Sequence, residues 1–168
     1  VLFVVPAHLQ KKWIRDMDRF FDIDLTPADR QWVEGERRRL GDAANIWDQD
    51  HQRMVTSMAF LRQDEFQPAL EDAFWDVVVV DEAHKAAKRG ESPSQTAKMV
   101  EQVTDNSDSL LLLSATPHDG KGEAFRSLVE YIDPFLVAED RDLSKDAVDR
   151  VMIRRGKQTI YDDDGERI

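Results

Sequence analysis

The most constraining feature of this sequence is a run of four valines, Val77–Val80, that ends directly in Asp81 and Glu82. Uninterrupted β-branched residues are typical of a strand that is buried on both faces, as in a parallel sheet. Carboxylates that follow such a strand lie at the carboxyl edge of the sheet, where open α/β folds bind their ligands. The run therefore predicts an α/β fold with an acidic site at one strand end.

A second apolar run, Leu110–Leu113, ends in Ser114, Ala115 and Thr116 and predicts a second buried strand. Two strands that deliver polar groups at their carboxyl ends indicate a site of nucleotide hydrolysis. Such a site needs a carboxylate for Mg²⁺ and a group that orients or deprotonates water. Because strand patterns alternate with helical patterns, the sheet is predicted to be parallel, with right-handed crossovers.

The composition limits the class of protein. With 168 residues, of which 41% are hydrophobic, the chain fits one globular domain. It contains no cysteine, which excludes disulfides and thiolate metal sites. No apolar run is long enough to cross a bilayer and no signal peptide is visible, so we expect no membrane partner and a cytoplasmic location.

The charge is strongly acidic, with 34 acids against 23 bases and a net charge of −11. Asp outnumbers Glu and Arg outnumbers Lys, which favours a halophilic protein whose carboxylates are screened at high salt. An ordinary acidic domain is an equally good interpretation. In either case the charge argues against electrostatic binding of nucleic acid over the whole surface, so a local patch would be needed.

The remaining elements follow from hydrophobic period and capping. Residues 24–50 show no clean period and predict a loop with short pieces of structure. The helix Leu9–Phe21 is predicted to bury a stripe that includes Phe20 and Phe21. The other predicted elements are strands at Val1–Val5 and Met54–Met58 and helices at Phe66–Phe74, Ser94–Thr104, Gly122–Ile132 and Asp146–Ile153.

The four tryptophans are spread along the chain. Trp13 and Trp75 fall in strongly apolar patterns and are predicted to lie in the core. Trp32 and Trp47 fall in the irregular segment and are predicted to line a groove.

Four short motifs carry a resemblance to a known family. Asp81-Glu82-Ala83-His84 resembles motif II, the Walker B motif, of the superfamily-two helicases, and Ser114-Ala115-Thr116 resembles their motif III. Val4–Leu9, with Trp13 shortly after it, resembles motif Ia, and Val55–Leu61 resembles motif Ib. The four motifs occur in the order that the family has, which is more specific than any one of them.

Within that superfamily the chain resembles the Swi/Snf-type DNA translocases, in their prokaryotic branch. The segments that carry this resemblance are Ala115–Lys121, Phe125, Leu128, Tyr131–Pro134 and Met152–Lys157. It covers nearly the whole chain except residues 24–50. The resemblance implies the first lobe, a RecA-like three-layer sandwich, of a two-lobed motor that hydrolyses ATP with Mg²⁺ and moves along DNA, duplex DNA in particular.

The resemblance also implies roles for single residues. Asp81 would hold Mg²⁺ through water, Glu82 would activate the attacking water, and His84 would connect the nucleotide site to motif III and the second lobe. Ser114, Ala115 and Thr116 would couple hydrolysis to DNA contact. The residues implied to lie along the nucleic-acid backbone are Pro6, Ala7, His8, Thr56 and Ser57. For His8, capping of the helix that starts at Leu9 is an equal alternative.

The sequence departs from the family in its phosphate-binding part. It contains no Gly-x-x-x-x-Gly-Lys-Thr loop, the Walker A loop, and Gly120-Lys121 does not follow a strand directly. We expect that loop and its strand upstream of Val1, and the second lobe with its arginine finger beyond Ile168. Residues 1–135 would then form a partial first lobe, and residues 136–168 an extension toward the second lobe.

An incomplete lobe of this kind is expected neither to hydrolyse ATP nor to bind it tightly, because the backbone N–H groups and the lysine of the loop are missing. We also expect an uncovered sheet edge, which a second copy of the chain could cover. Eukaryotic remodellers usually have Thr-Gly-Thr at motif III, whereas this chain has Ser-Ala-Thr, which favours helicase-like prokaryotic relatives. Separation of the DNA strands therefore stays an alternative to movement along the duplex.

Two alternatives from other classes remain at this stage. The first is a non-catalytic nucleic-acid-binding or scaffold module that has kept the fold, against which the intact Asp-Glu-Ala-His argues. The second is a nuclease that uses Asp81 and Glu82 as ligands of two metal ions. Against a nuclease, this sequence has no further acid and lysine at suitable spacing. A nuclease would also leave Ser114-Ala115-Thr116 unexplained.

Overall fold

The computed structural model describes residues 1–41, 45–47, 52–88, 92–116, 122–137 and 143–154. The predicted features at Pro117–Lys121, at Arg155–Lys157 and in the rest of the C-terminal segment lie outside the described residues. Among the described residues, no helix is long and apolar enough to cross a membrane.

Strands and helices alternate along the chain, as predicted. The strands are β1 (Leu2–Val5), β2 (Thr26–Pro27), β3 (Met54–Ser57), β4 (Trp75–Val80) and β5 (Ser107–Leu112). The helices are α1 (Gln10–Phe21), α2 (Arg30–Leu40), α3 (Met58–Leu61), α4 (Gln67–Glu71), α5 (Gln95–Asp105), α6 (Gly122–Ile132) and α7 (Lys145–Val151). Short 3-10 helices occupy Ala7–Leu9, Ala83–Ala86 and Pro134–Leu136.

The five strands form one sheet in the order β2-β3-β1-β4-β5, and every pairing is parallel. In register, Val4 of β1 lies between Thr56 of β3 and Val80 of β4. Parallel neighbours need crossover connections, and the helices between the strands provide them. The predicted α/β class with a parallel sheet is confirmed.

The sheet is covered on both faces, which gives three layers. On one face Leu2, Val4, Val78 and Val80 pack with residues of α2 to α6 in the larger core. On the other face Phe3, Val5, Val55 and Val79 pack with Trp13, Ile14 and Met17 of α1 in a smaller core. Alternate residues of β1 and β4 thus face opposite layers, which explains why these strands are apolar throughout.

The prediction of a loop over residues 24–50 is wrong for its central part, where α2 spans Arg30–Leu40. The side chain of Asp29 caps this helix by accepting a hydrogen bond from the Trp32 N–H, and Gly41 follows its end with φ 86°. Only a narrow stripe of α2 meets the core, with Val33 buried. The charged remainder of the helix and the internal Gly35 hid the helical period.

Two predictions about aromatic residues are also wrong. Phe20 and Phe21 are 64% and 65% exposed, because the small core under α1 ends before its last turn. Trp47 is buried in the larger core, and Trp32 packs against that core with its ring centroid 5.6 Å from the centroid of Trp47. These two rings therefore pack as part of the fold and do not line a groove.

Strand β5 lies at one edge of the sheet and is less buried than predicted. Leu111 is 50% exposed, and Leu110 and Leu112 are half-buried. The strand pairs with β4 on one side and with no strand on its other side among the described residues. The apolar run therefore indicated the strand correctly but overstated its burial.

Candidate active site

The carboxyl ends of three adjacent strands are joined by backbone hydrogen bonds. The Asp81 N–H donates to the Val4 carbonyl at 2.9 Å, and the Leu113 N–H donates to the Val80 carbonyl at 2.8 Å. The Ala83 N–H then donates to the Leu113 carbonyl at 2.9 Å. These bonds extend the pairing of β1, β4 and β5 beyond the strands and fix the residues that follow them at one edge.

Asp81 and Glu82 make a sharp turn at this edge. Glu82 has a left-handed backbone, with φ 53° and ψ 42°, which costs a residue other than glycine roughly 1–2 kcal/mol. The Asp81 carboxylate offsets part of this cost, because its Oδ1 accepts a hydrogen bond from the Glu82 N–H at 2.8 Å. The turn separates β4 from the 3-10 helix Ala83–Ala86.

His84 connects motif II to motif III. Its Nδ1 lies 3.1 Å from Glu82 Oε2 and 3.3 Å from Ser114 Oγ, and Ser114 Oγ accepts a hydrogen bond from the Thr116 N–H at 3.3 Å. The side chains of His84 and Glu82 are 28% and 32% exposed, so both can reach a ligand. The structure thus brings Glu82, His84 and Ser114 together, with Asp81 directly before Glu82 at the same edge. Ala115 and Thr116, which follow Ser114, are exposed.

The donors at this edge fit Mg²⁺ only as part of a larger shell. No cluster of three His, Cys, Asp or Glu side chains that could hold a metal ion occurs in the described part of the chain. Mg²⁺ is commonly held by one or two carboxylates, with waters and substrate phosphates completing its octahedron. The half-buried Asp81 suits that role, whereas a nuclease with two metal ions gains no support from these residues.

The predicted nucleic-acid residues near β1 divide into buried and exposed ones. Pro6 is buried at the end of the strand, whereas Ala7 and His8 are exposed. His8 lies inside the 3-10 helix Ala7–Leu9, and Leu9 occupies the N-cap position of α1. The capping alternative for His8 is therefore wrong, and its ring is free to face a ligand.

Thr56 and Ser57 are placed differently from Ala7 and His8. Both are buried, and both hydroxyls have partners within the fold. Thr56 Oγ1 donates to the Ala28 carbonyl at 2.8 Å, and Ser57 Oγ caps α3 by accepting from the Phe60 N–H at 3.1 Å. These side chains hold β3 to its neighbours and do not join the exposed surface formed by Ala7 and His8.

A partly buried cluster of contacts around Lys88 and Tyr131, here called the latch, anchors the chain after motif II, and the sequence pattern did not indicate it. The Lys88 N–H donates to Ser127 Oγ at 2.9 Å, and Lys88 Nζ pairs with Glu101 Oε1 at 2.7 Å. Burial disfavours the charged lysine, but the hydrogen bond to Glu101 and the charge of Glu130 outweigh it and raise the pKa of Lys88. Tyr131 completes the latch, with its hydroxyl 3.0 Å from the Ala86 carbonyl.

Comparisons with known proteins identify the family. The sequence profile of the SNF2-related domain matches residues 1–160. The chain belongs to the SNF2-related domain family. It is similar to the RNA polymerase-associated protein RapA of Yersinia pestis (strain Pestoides F) and of Yersinia pseudotuberculosis serotype O:1b (strain IP 31758), with 33% identity over 135 residues in each case.

The aligned part is 80% of this chain but only 14% of each RapA protein. The SNF2-related chain thus spans a small fraction of the length of these relatives. Its membership supports an ATP-dependent motor of the SNF2 type, and it confirms the predicted resemblance to the Swi/Snf-type proteins. The family uses nucleotide and metal in general, in agreement with the carboxylates at the sheet edge.

Proposed function

We propose that this chain is part of the first lobe of an ATP-dependent DNA translocase, in which hydrolysis at the carboxyl edge of the sheet drives movement along duplex DNA. The observation that carries the proposal is the cluster of Asp81, Glu82, His84 and Ser114. It combines a metal-binding carboxylate, a second carboxylate for water, and a bridge to the next strand. The chain itself supplies only some of the parts of such a motor.

Each residue of the cluster has a separate task in this proposal. Asp81 holds Mg²⁺ through water, and the ion, when bound, neutralises charge on the phosphates. The Glu82 carboxylate orients the attacking water and accepts its proton as the water oxygen bonds to the γ-phosphorus of ATP. The bond from that phosphorus to the bridging oxygen breaks on the opposite side, so that ADP leaves in line. His84 keeps the Glu82 side chain in place and transmits its state to Ser114, 3.3 Å away.

Contact with DNA is assigned to the exposed surface formed by Ala7 and His8, with Pro6 fixing its direction. The connection from the hydrolysis site to this surface is short. The Asp81 N–H donates a hydrogen bond to the carbonyl of Val4 in β1, and Val4 precedes Ala7 by three residues. Thr116 and Ala115 extend the same edge. With a net charge of −11, the chain has to contact DNA locally at this edge and not over its whole surface.

The experiment is DNA-stimulated ATP hydrolysis by the full-length motor with Glu82→Gln. Turnover should fall by at least about a hundredfold, the usual range for loss of a general base, while nucleotide binding remains. The control is Glu71→Gln, at an exposed position before the opposite end of β4. Normal turnover in the Glu82 variant, or equal losses in both variants, would exclude the assigned role.

A further inference from the structure

A hydrogen bond joins α1 to the candidate metal ligand. The indole Nε1–H of Trp13 donates to Asp81 Oδ2 at 2.8 Å, across 68 positions of sequence. Trp13 lies in the first half of α1, which begins two residues after His8. The bond thus connects the segment assigned to DNA contact with the carboxylate assigned to Mg²⁺.

The indole ring is held in place by the same strands that position Asp81. Its centroid lies 5.3 Å from the centroid of Phe3, with the two ring planes inclined at 49°. Phe3 is paired in register with Val79, two residues before Asp81. The Trp13 ring and the Asp81 carboxylate are therefore both positioned by the same pair of strands, β1 and β4. This limits how far the indole N–H can move from the carboxylate.

With this bond, both oxygens of Asp81 are fixed. Oδ1 accepts from the Glu82 N–H and Oδ2 accepts from Trp13, each at 2.8 Å. A carboxylate offers about four lone-pair sites, so each oxygen keeps one for a further ligand. Partners of this kind orient a carboxylate ligand, and their loss typically costs tenfold or more in metal affinity or activity.

The other tryptophans show that burial of the ring does not require such a bond. Trp47 and Trp75 are more deeply buried than Trp13, yet their Nε1 atoms have no hydrogen-bond partner within the described structure. At Trp13 the polar atom is paired although the residue is only partly buried. The pairing of the Trp13 indole with Asp81 is therefore not a consequence of burial alone.

We propose that Trp13 is a positioning residue, whose indole N–H sets the orientation in which Asp81 receives Mg²⁺. The proposal rests on the function proposed above, because it takes Asp81 as the metal ligand. Trp13 does not touch the nucleotide and acts only through Asp81. Trp13→Phe keeps an aromatic ring against Phe3 and removes the donor, and Trp75→Phe is the matched control because its indole N–H has no partner.

The first test uses this chain alone and follows the indole N–H signals in proton–nitrogen NMR spectra. Asp81→Ala should shift the Trp13 indole signal and accelerate its exchange with solvent by about tenfold, as expected when a hydrogen bond to a charged group is lost. The signals of Trp32, Trp47 and Trp75 should stay in place. A Trp13 signal that is identical with and without the Asp81 carboxylate would overturn the proposal, whatever the protein hydrolyses.

The second test compares both tryptophan variants in the full-length motor. Trp13→Phe should raise the Mg²⁺ concentration for half-maximal ATP hydrolysis by about tenfold, while the KM for ATP at saturating Mg²⁺ stays unchanged. Trp75→Phe should change neither. A folded Trp13→Phe protein with a normal Mg²⁺ requirement would refute the positioning role. Absence of hydrolysis in the unmodified protein would instead refute the function proposed for Asp81, and the positioning role with it.

Discussion

Glycine at position 82 should give a more stable chain than alanine at the same position. Both substitutions remove the Glu82 side chain and its 3.1 Å contact with His84, so this loss cancels in the comparison. What remains is the backbone, which is left-handed at this residue with φ 53° and ψ 42°. Alanine has to bear the steric cost of that conformation and glycine does not.

The magnitude follows from two opposing terms. The left-handed conformation costs alanine roughly 1–2 kcal/mol. Glycine loses roughly 0.5–1 kcal/mol more backbone entropy than alanine on folding. With the middle of each range, Glu82→Gly is more stable than Glu82→Ala by about 0.75 kcal/mol, or about 0.4 M in the urea midpoint for a slope of about 2 kcal/mol/M.

The assay is equilibrium urea unfolding of this chain with each variant, with Lys98→Ala and Lys98→Gly as the control pair. Lys98 is exposed on α5, where the ordinary order holds and alanine is favoured by about 1 kcal/mol. The two sites should therefore show opposite signs. If glycine were the less stable residue at position 82 as well, the strained left-handed turn at Glu82 would be disproved.

Three further predictions concern charge, the latch around Lys88 and Tyr131, and motif III. If the protein is halophilic, its Tm should rise from dilute buffer to molar potassium chloride, and a flat or falling Tm would favour an ordinary acidic domain. Burial first, and then the charges of Glu101 and Glu130, raise the pKa of Tyr131, so stability should decline above about pH 10 as the unfolded chain ionises. Tyr131→Phe should remove that decline and cost about 1–2 kcal/mol at neutral pH in urea unfolding, because the Ala86 carbonyl loses its donor; a decline that persists would implicate other groups. Ser114→Ala with Thr116→Ala should leave more ATP hydrolysis than Glu82→Gln but reduce movement on DNA, and coupled loss of both activities would contradict this.

The edge that carries the site could be predicted because its signals are local. Four valines followed by two acids specify a buried strand and what emerges from its end. The turn at Glu82 and the contact between His84 and Ser114 then follow from the pairing of adjacent parallel strands. Here one run of residues determines both the strand and the polar side chains that follow its carboxyl end.

Other features depended on contacts between distant segments. The bond from Trp13 to Asp81 spans 68 positions, and nothing in the local pattern of α1 distinguishes this indole from one that only packs. Burial of Thr56 depends on β3 being an inner strand that lies against the Ala28 segment, which a single short apolar run does not indicate. The helix α2 could have been predicted from the sequence, since Asp29 is a typical N-cap residue and Gly41 a typical residue at a helix end.

The central claim is that ATP hydrolysis at Glu82 drives movement along duplex DNA. Its most direct measurement is the displacement of a third strand from a DNA triplex by the full-length motor, with and without ATP. Displacement should require ATP and be lost in Glu82→Gln, while Glu71→Gln behaves as the unmodified protein does. Displacement that proceeds without ATP, or that survives in the Glu82 variant, would contradict the account.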